Sequence, residues 1–388
     1  MAGLPFNGVR VLDAGELVAA AYATRLLAHL GASVVKLEDP GGDPLRERPP
    51  FVERGGYRAS ALQLFLDQCK RSVVREADPG GESTLGSLLR DADVLVISGD
   101  RRRILQRGFD PDQLLASYPS LIVVTITPFG WTGPRADWSA TELIMSAAGG
   151  WLGISPGALD DPNLPPLKAF GQQCEFQGGV HGAIAAVAAL FAREQRGGEG
   201  EHVDVSVQAC IASNLEMNFM HWTYAGRETS RLGTRAIGPW GIIELADGPF
   251  FLTCIEEDQW QRLVQFLGNP DWAEWEMFGD RLLRAQHNDA LMPLIEAGLN
   301  HLTCQDAFEQ LQNHRIACTP VNTMEMLLTS DHLQEREFFV TVEDELFGAA
   351  TFPGAPFKMS NTPWKQSTRA PRLGEHSSWS TFELWGID

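Results

Sequence analysis

The segment Cys174-Glu175-Phe176-Gln177-Gly178-Gly179-Val180-His181 places a carboxylate just ahead of a glycine-rich stretch that reads as the start of a helix. Backbone N–H groups at such a start suit an anionic carboxylate or a developing oxyanion. The competing reading is that Glu175 only caps the helix, where acids are routinely stabilising. His181 lies in the first turns of the same helix and reaches Glu175 only if the chain folds back before Gly178, so packing is the better reading for it. Asp204 and Ser206 have no triad spacing with a histidine, and strand patterning accounts for both. The six cysteines, at 69, 174, 210, 254, 304 and 318, stand singly with no CxxC pair, so neither a disulfide scaffold nor a metal site is expected.

The elements that must position these residues alternate in type. Val9 to Leu12 reads as a buried strand, Val18 to Leu30 as a helix ended by Gly31, and Ser33 to Leu37 as a second strand. That is one βαβ unit, which implies parallel pairing. Strand patterns follow at Ser72 to Arg75, Asp93 to Ser98 and Leu121 to Thr125, with a helical stretch from Ser83 to Asp91. The alternation predicts an α/β sheet covered on both faces. Asp13-Ala14-Gly15-Glu16-Leu17-Val18 stands where a dinucleotide fingerprint would follow the first strand, which disfavours a nicotinamide or flavin enzyme. A long Ala-rich helix is expected from Gly178 to Arg196, its glycines packing closely or approaching a ligand, then a strand from His202 to Val207 and an apolar helix over Ala209 to Thr223.

Composition shifts after Tyr224. Between Cys254 and Asp280 there are seven acids and one base, Arg262. Residues 225–328 therefore read as a smaller domain, with helical patterns near 285–299 and 303–314, and 1–224 with 329–388 as a large one. The whole chain of 388 residues carries 31 basic and 50 acidic side chains, a formal charge of −19. That balance argues against a nucleic-acid partner, which needs a basic face. No stretch approaches the ~18 uninterrupted apolar residues of a membrane span, and the N-terminus has no cationic and apolar leader, so a cytoplasmic protein without a membrane partner is expected.

Read in order, Leu26 to Glu38, Lys70-Arg71-Ser72, Phe129-Gly130-Trp131-Thr132-Gly133-Pro134, Gly200 to Ser206 and Pro371-Arg372-Leu373-Gly374-Glu375-His376 resemble class III CoA-transferases of the CaiB/BaiF type. The shared order spans some 350 residues. The resemblance implies a Rossmann-like large domain built from both chain ends, a smaller inserted domain, and an interlocked homodimer. It implies transfer of coenzyme A, as co-substrate, between an acyl-CoA and a carboxylic acid through an acidic nucleophile, with no metal. The family's aspartate falls at Glu175. A carboxylate nucleophile splits a difficult acyl transfer into easier steps, and Glu differs little from Asp in basicity. The extra methylene nevertheless moves the carboxylate by more than the ~0.5 Å tolerance of a catalytic constellation.

For CoA the resemblance points to Val18, Ala19, Cys69, Lys70, Arg71, Arg107 and Arg135, of which the lysine and arginines suit phosphates through charge-assisted hydrogen bonds. Arg101-Arg102-Arg103 read equally as ordinary solvated cations. Asp39 stands where the family usually has Arg, and Ala20-Ala21 replace its Gly-Pro. Thr141-Glu142 replaces the His-Asp step of the family's racemases, which disfavours two-base proton exchange. Glu142, Gly178, Gly179, His181 and Trp240 are the acyl-pocket candidates; for Glu142 a plain helix-start acid is the alternative. The family's glycine loop corresponds to Arg231 to Gly241, where only Gly233, Gly238 and Gly241 occur, so a less mobile lid or none is expected. Two other functions stay open: an acyl-CoA binding protein without transferase activity, and a lyase or hydrolase using Glu175 as general base.

Overall fold

The structure is a computed structural model and describes residues 3–75, 84–155, 164–229 and 237–386. The chain divides into two compact units, Met1–Leu232 with Glu337–Asp388, and Gly233–Arg336.

The first unit is built on six parallel strands: β1 (Arg10–Asp13), β2 (Ser33–Glu38), β3 (Lys70–Val74), β4 (Val94–Ser98), β5 (Ile122–Thr127) and β6 (His202–Ser206), in the order β3-β2-β1-β4-β5-β6. Alternate side chains explain why these segments are apolar throughout. Val11, Val34, Val94, Val96, Val124 and Ile126 share one buried cluster, while Leu12, Val35, Leu95, Ile97 and Val123 share another. A period of two buries both sets when both faces are covered. The first face is covered by α1 (Leu17–His29) and the long α4 (Gln173–Gln195). On the other face Leu88, Ile104, Leu114 and, from the C-terminal end of the chain, Leu384 and Trp385 complete the cluster.

The helix α4 is long and apolar enough to pass as a membrane span, yet half of its apolar window is packed inside the unit. It lies against α1 through Gly178, Gly179 and Gly182. A Cβ on Gly179 would stand 2.7 Å from the Ala19 carbonyl oxygen, and one on Gly178 would stand 2.9 Å from Val207. These glycines are expected to tolerate no side chain. Gly179→Ala should cost about 1–3 kcal/mol in denaturant unfolding, because the obstacle is backbone.

Two helix boundaries differ from the pattern read in the sequence. The long helix starts at Gln173 rather than Gly178, because a carboxylate distant in sequence caps it, as described below. The apolar stretch 209–223 is two helices, α5 (Val207–Ala212) and α6 (Glu216–Ala225). Ser213 Oγ and Asn214 Nδ2 both donate to the Cys210 carbonyl at 2.8 and 3.1 Å, side-chain bonds that compete with helix continuation.

The second unit has a three-stranded antiparallel sheet, β7 (Trp240–Leu245), β8 (Gly248–Thr253) and β9 (Ala317–Pro320), with β8 in the centre. Phe250, Leu252, Trp260, Leu263, Leu291 and Ile295 form its core. Gly233 and the other residues 231–236 of the glycine-loop segment lie outside the described residues.

Candidate active site

The strand order reverses direction at β1, where the chain continues to β2 on one side while β4 lies on the other. In open α/β sheets, ligands bind outside the carboxyl ends of the strands at such a point. Here a cavity of about 300 Å³ opens there, lined by Glu16, Leu17 and Ala19 after β1, Ser98 and Gly99 after β4, and Glu175.

Glu175 is the third residue of α4 and is buried, with 8% exposure. Its Oε2 accepts the Val18 N–H at 2.9 Å, and its Oε1 accepts from Arg48 Nη1 at 3.2 Å. Burial pushes its carboxyl above the ordinary glutamate range, while Arg48 and the Val18 N–H pull the other way and Glu142 adds to the rise. Glu175 is therefore inside its helix, and its carboxylate serves another element. The capping role belongs to Glu142, the first residue of α3 (Glu142–Ala148), whose Oε1 and Oε2 accept the N–H groups of Cys174 and Glu175 at 2.8 and 3.3 Å. Glu142 is thus buried, neither a surface acid nor free to reach substrate with these bonds intact. Burial, with Glu142 beside it, pushes the neighbouring Cys174 thiol up to about 12, so no thiolate competes with Glu175.

The turn that offers Val18 is held by tertiary contacts. Leu17 has φ +64°, a conformation that costs a residue with a side chain about 1–3 kcal/mol. Its N–H donates to Asp43 Oδ1 at 3.0 Å, and Ser98 Oγ donates to the Glu16 carbonyl at 2.6 Å while accepting the Ala20 N–H at 3.3 Å. Asp43 Oδ2 in turn accepts from Lys36 Nζ at 2.7 Å. Sequence reading missed Leu17, Asp43, Ser98 and Arg48. The only local signal for Arg48 was a base set before Pro49-Pro50, where the backbone must be extended.

Several expected site residues do other work. Lys70 Nζ donates to Asp13, Asp67 and the Ala21 carbonyl, each at 2.9 Å, and its side chain is fully buried, so all three donors are used and none reaches a phosphate. Gly178 and Gly179 face α5, β5 and α1 rather than a substrate pocket. His181 Nδ1 bonds the Gln177 carbonyl one turn back in its own helix, at 2.9 Å, and makes no contact with Glu175. Cys69 Sγ accepts the Thr368 N–H at 3.4 Å under the C-terminal segment. Asp204 accepts the Trp131 N–H and Ser206 caps α5, as strand and cap residues do. Trp240 opens β7 of the second unit, its ring edge-on to Phe251.

Ala19 lines the cavity, whereas Val18 is fully buried and meets Glu175 through its N–H. Of the other bases, Arg71 Nη1 donates to the Leu384 carbonyl, and Arg135 is exposed with its guanidinium over Trp138. Arg103 forks Glu16 through Nε and Nη2. Arg107 donates to the Ala14 carbonyl at 2.7 Å and pairs with Asp39 at 3.3 Å. Asp39 thus neutralises a base close to the β1 turn. Among the described residues no three His, Cys, Asp or Glu side chains gather as a metal site.

This geometry, with a buried carboxylate beside a switch-point cavity, coincides with a match of residues 6–377 to the family model CoA-transferase family III. The chain belongs to that family. It is 30% identical to the succinate–glutarate CoA-transferase of Agrobacterium fabrum, over 99% of this chain and 96% of that protein. It is also 30% identical to the succinyl-CoA:(R)-benzylsuccinate CoA-transferase subunit BbsE of Thauera aromatica, over 97% of this chain and 93% of that one. Among solved structures, a CaiB/BaiF family protein from Brucella suis superimposes with a TM-score of 0.86 at 26% identity, covering 99% of this chain and all of that one.

Proposed function

We propose that this protein transfers CoA between an acyl-CoA thioester and a carboxylic acid through covalent intermediates on Glu175. The observation that carries the reading is the placement of Glu175: a buried carboxylate with one oxygen on a backbone N–H and the other on a guanidinium, at the edge of the switch-point cavity. Attack of Glu175 on the thioester carbonyl expels the CoA thiolate and forms a mixed anhydride. The thiolate then attacks the Glu175 side-chain carbonyl and expels the donor acid, leaving a glutamyl-CoA thioester. The acceptor carboxylate repeats the two steps in reverse, and no net proton is needed.

Each attack on the Glu175 carbonyl develops negative charge on the oxygen that remains bound to that carbon. Val18 N–H already points at Oε2, and such a preorganised donor is worth about 2.7–4 kcal/mol in the transition state. The extra methylene of glutamate is what carries the carboxylate from α4 to the Val18 turn. The CoA chain would lie along the Ala19, Ser98 and Gly99 side of the cavity, with Arg103, Arg107, Arg71 and Arg135 as phosphate candidates.

A homodimer fits the exposed apolar side chains Ile184, Val187 and Phe191 along α4 and Met217, Trp222 and Tyr224 on α6, which has no buried residue at all. A panel of acyl-CoA thioesters and free acids assayed for CoA exchange tests the function. Exchange dependent on both partners supports it, and CoA release without an acceptor acid would instead identify a hydrolase.

A further inference from the structure

Arg48 differs from the other arginines around the site. Arg46, two residues earlier, forks Glu38 with Nε and Nη2 at 2.6 Å each and also donates to the Pro371 carbonyl. The Arg48 guanidinium makes a single hydrogen bond, Nη1 to Glu175 Oε1, its side chain is 30% exposed, and its remaining guanidinium N–H groups have no protein partner among the described residues. Among the described residues it is the one cation that touches Glu175. The two oxygens of Glu175 are thus held unlike one another, Oε2 by a backbone N–H and Oε1 by a guanidinium with donors to spare.

On the proposed chemistry those oxygens also have different fates. The oxygen that attacks the donor becomes the bridge of the anhydride. When the thiolate attacks the Glu175 carbonyl, the C–O bond to that bridge breaks and the oxygen leaves within the donor acid. The oxygen on Val18 N–H stays as the carbonyl. The exchanged oxygen is therefore Oε1, and Arg48 faces the place where an acid's oxygen departs and where the next one enters. At the thioester stage Glu175 is neutral, so Arg48 has lost its counterion just when a free carboxylate must be bound.

We infer that Arg48 binds the reacting carboxylate of the acid substrate while Glu175 carries CoA, presenting one acid oxygen to the glutamyl carbonyl carbon. This rests on Glu175 being the nucleophile. One negative charge passes from Glu175 to the CoA sulfur, to the departing acid and back, and the guanidinium pairs with each carboxylate in turn. A planar fork holds a carboxylate in two positions at once, which a lysine ammonium does not.

The test uses full-length protein with Arg48→Gln and Arg48→Lys, at a pH where Glu175 is ionised in every variant. In a ping-pong scheme kcat/KM for the acid reports the half-reaction from the CoA-bound enzyme, and kcat/KM for the acyl-CoA reports the other. Arg48→Gln should lower the acid value at least about tenfold more than the acyl-CoA value, equally for mono- and dicarboxylic acids, with partial recovery in Arg48→Lys. Equal loss in both half-reactions would overturn the inference and leave Arg48 serving Glu175 alone. Loss confined to dicarboxylic acids would also overturn it, placing the guanidinium at the remote end of the substrate. Failure of the wild-type protein to form any adduct on Glu175 would overturn the nucleophile reading itself, and that result precedes any Arg48 variant.

Discussion

Glu175→Gln should abolish CoA transfer, lowering kcat by about 10³-fold or more, while the protein remains folded and still binds CoA. Glutamine keeps the length of the side chain and an oxygen for the Val18 N–H, so the loss isolates the nucleophile. Glu175→Asp should also lose activity, by about 10–100-fold, although aspartate is the residue the family resemblance implies at this position. Shortening the side chain by one methylene withdraws the carboxylate from both Val18 and Arg48, the contacts that define the site. A gain of activity in Glu175→Asp would mean that the natural site is silent.

The same residue sets the pH dependence. Its folded pKa lies above the ordinary glutamate value, and on the proposed mechanism the reacting form is the carboxylate. Activity should therefore fall, as pH decreases, through a limb lying above the usual ~4.3, and kcat/KM profiles for the acyl-CoA would show it.

The second large effect is on stability. Lys36→Met should destabilise the first unit by about 3–5 kcal/mol in denaturant unfolding. Lys36 is fully buried, 2.7 Å from Asp43, 3.4 Å from Asp67 and 3.9 Å from Asp13. Burial works to discharge it, but those three carboxylates hold its pKa well above the usual lysine value. Methionine leaves Asp13 and Asp67 to Lys70 and deprives the buried Asp43 of the ammonium it pairs with. Because Asp43 also fixes the strained Leu17 turn, the variant should lose activity along with stability.

The network predicts acid sensitivity with a definite sign. For Asp13 and Asp67, burial raises the pKa but Lys36 and Lys70 outweigh it, so both lie below the ordinary aspartate value. A depressed carboxyl contributes stability that is full above its unfolded pKa, near ~4, and is lost as pH falls through the folded value. Glu175 and Asp43 are shifted the other way, and what they contribute is present at low pH and lost as it rises. Stability near neutral pH therefore leans on Lys36, and its removal should flatten the acid-side dependence.

The parallel sheet was readable because its strands are buried on both faces, leaving runs such as Val94 to Ser98 with little but apolar side chains. Glycines 178, 179 and 182 were readable as sites of close approach, but the sequence did not separate packing from ligand contact, and only the contacts with α1, α5 and β5 do so. The start of α4 was not, because its cap is Glu142, 31 positions before the helix begins at Gln173. Lys70 looked like a phosphate ligand because a sequence shows a charge without its partners, here Asp13 and Asp67. Arg48 and Leu17 went unnoticed for the same reason. An ion pair across 127 positions and a left-handed turn held by Asp43 leave no periodic trace. Site residues supplied by contacts between loops are where local sequence signals give out.

The central claim is that Glu175 becomes covalently linked during transfer. Incubation of the protein with an acyl-CoA in the presence of hydroxylamine, followed by peptide mapping by mass spectrometry, should reveal a hydroxamate on Glu175 that forms only with the thioester and is absent from Glu175→Gln. An unmodified Glu175 in a protein that binds CoA and exchanges it between acids would contradict the account.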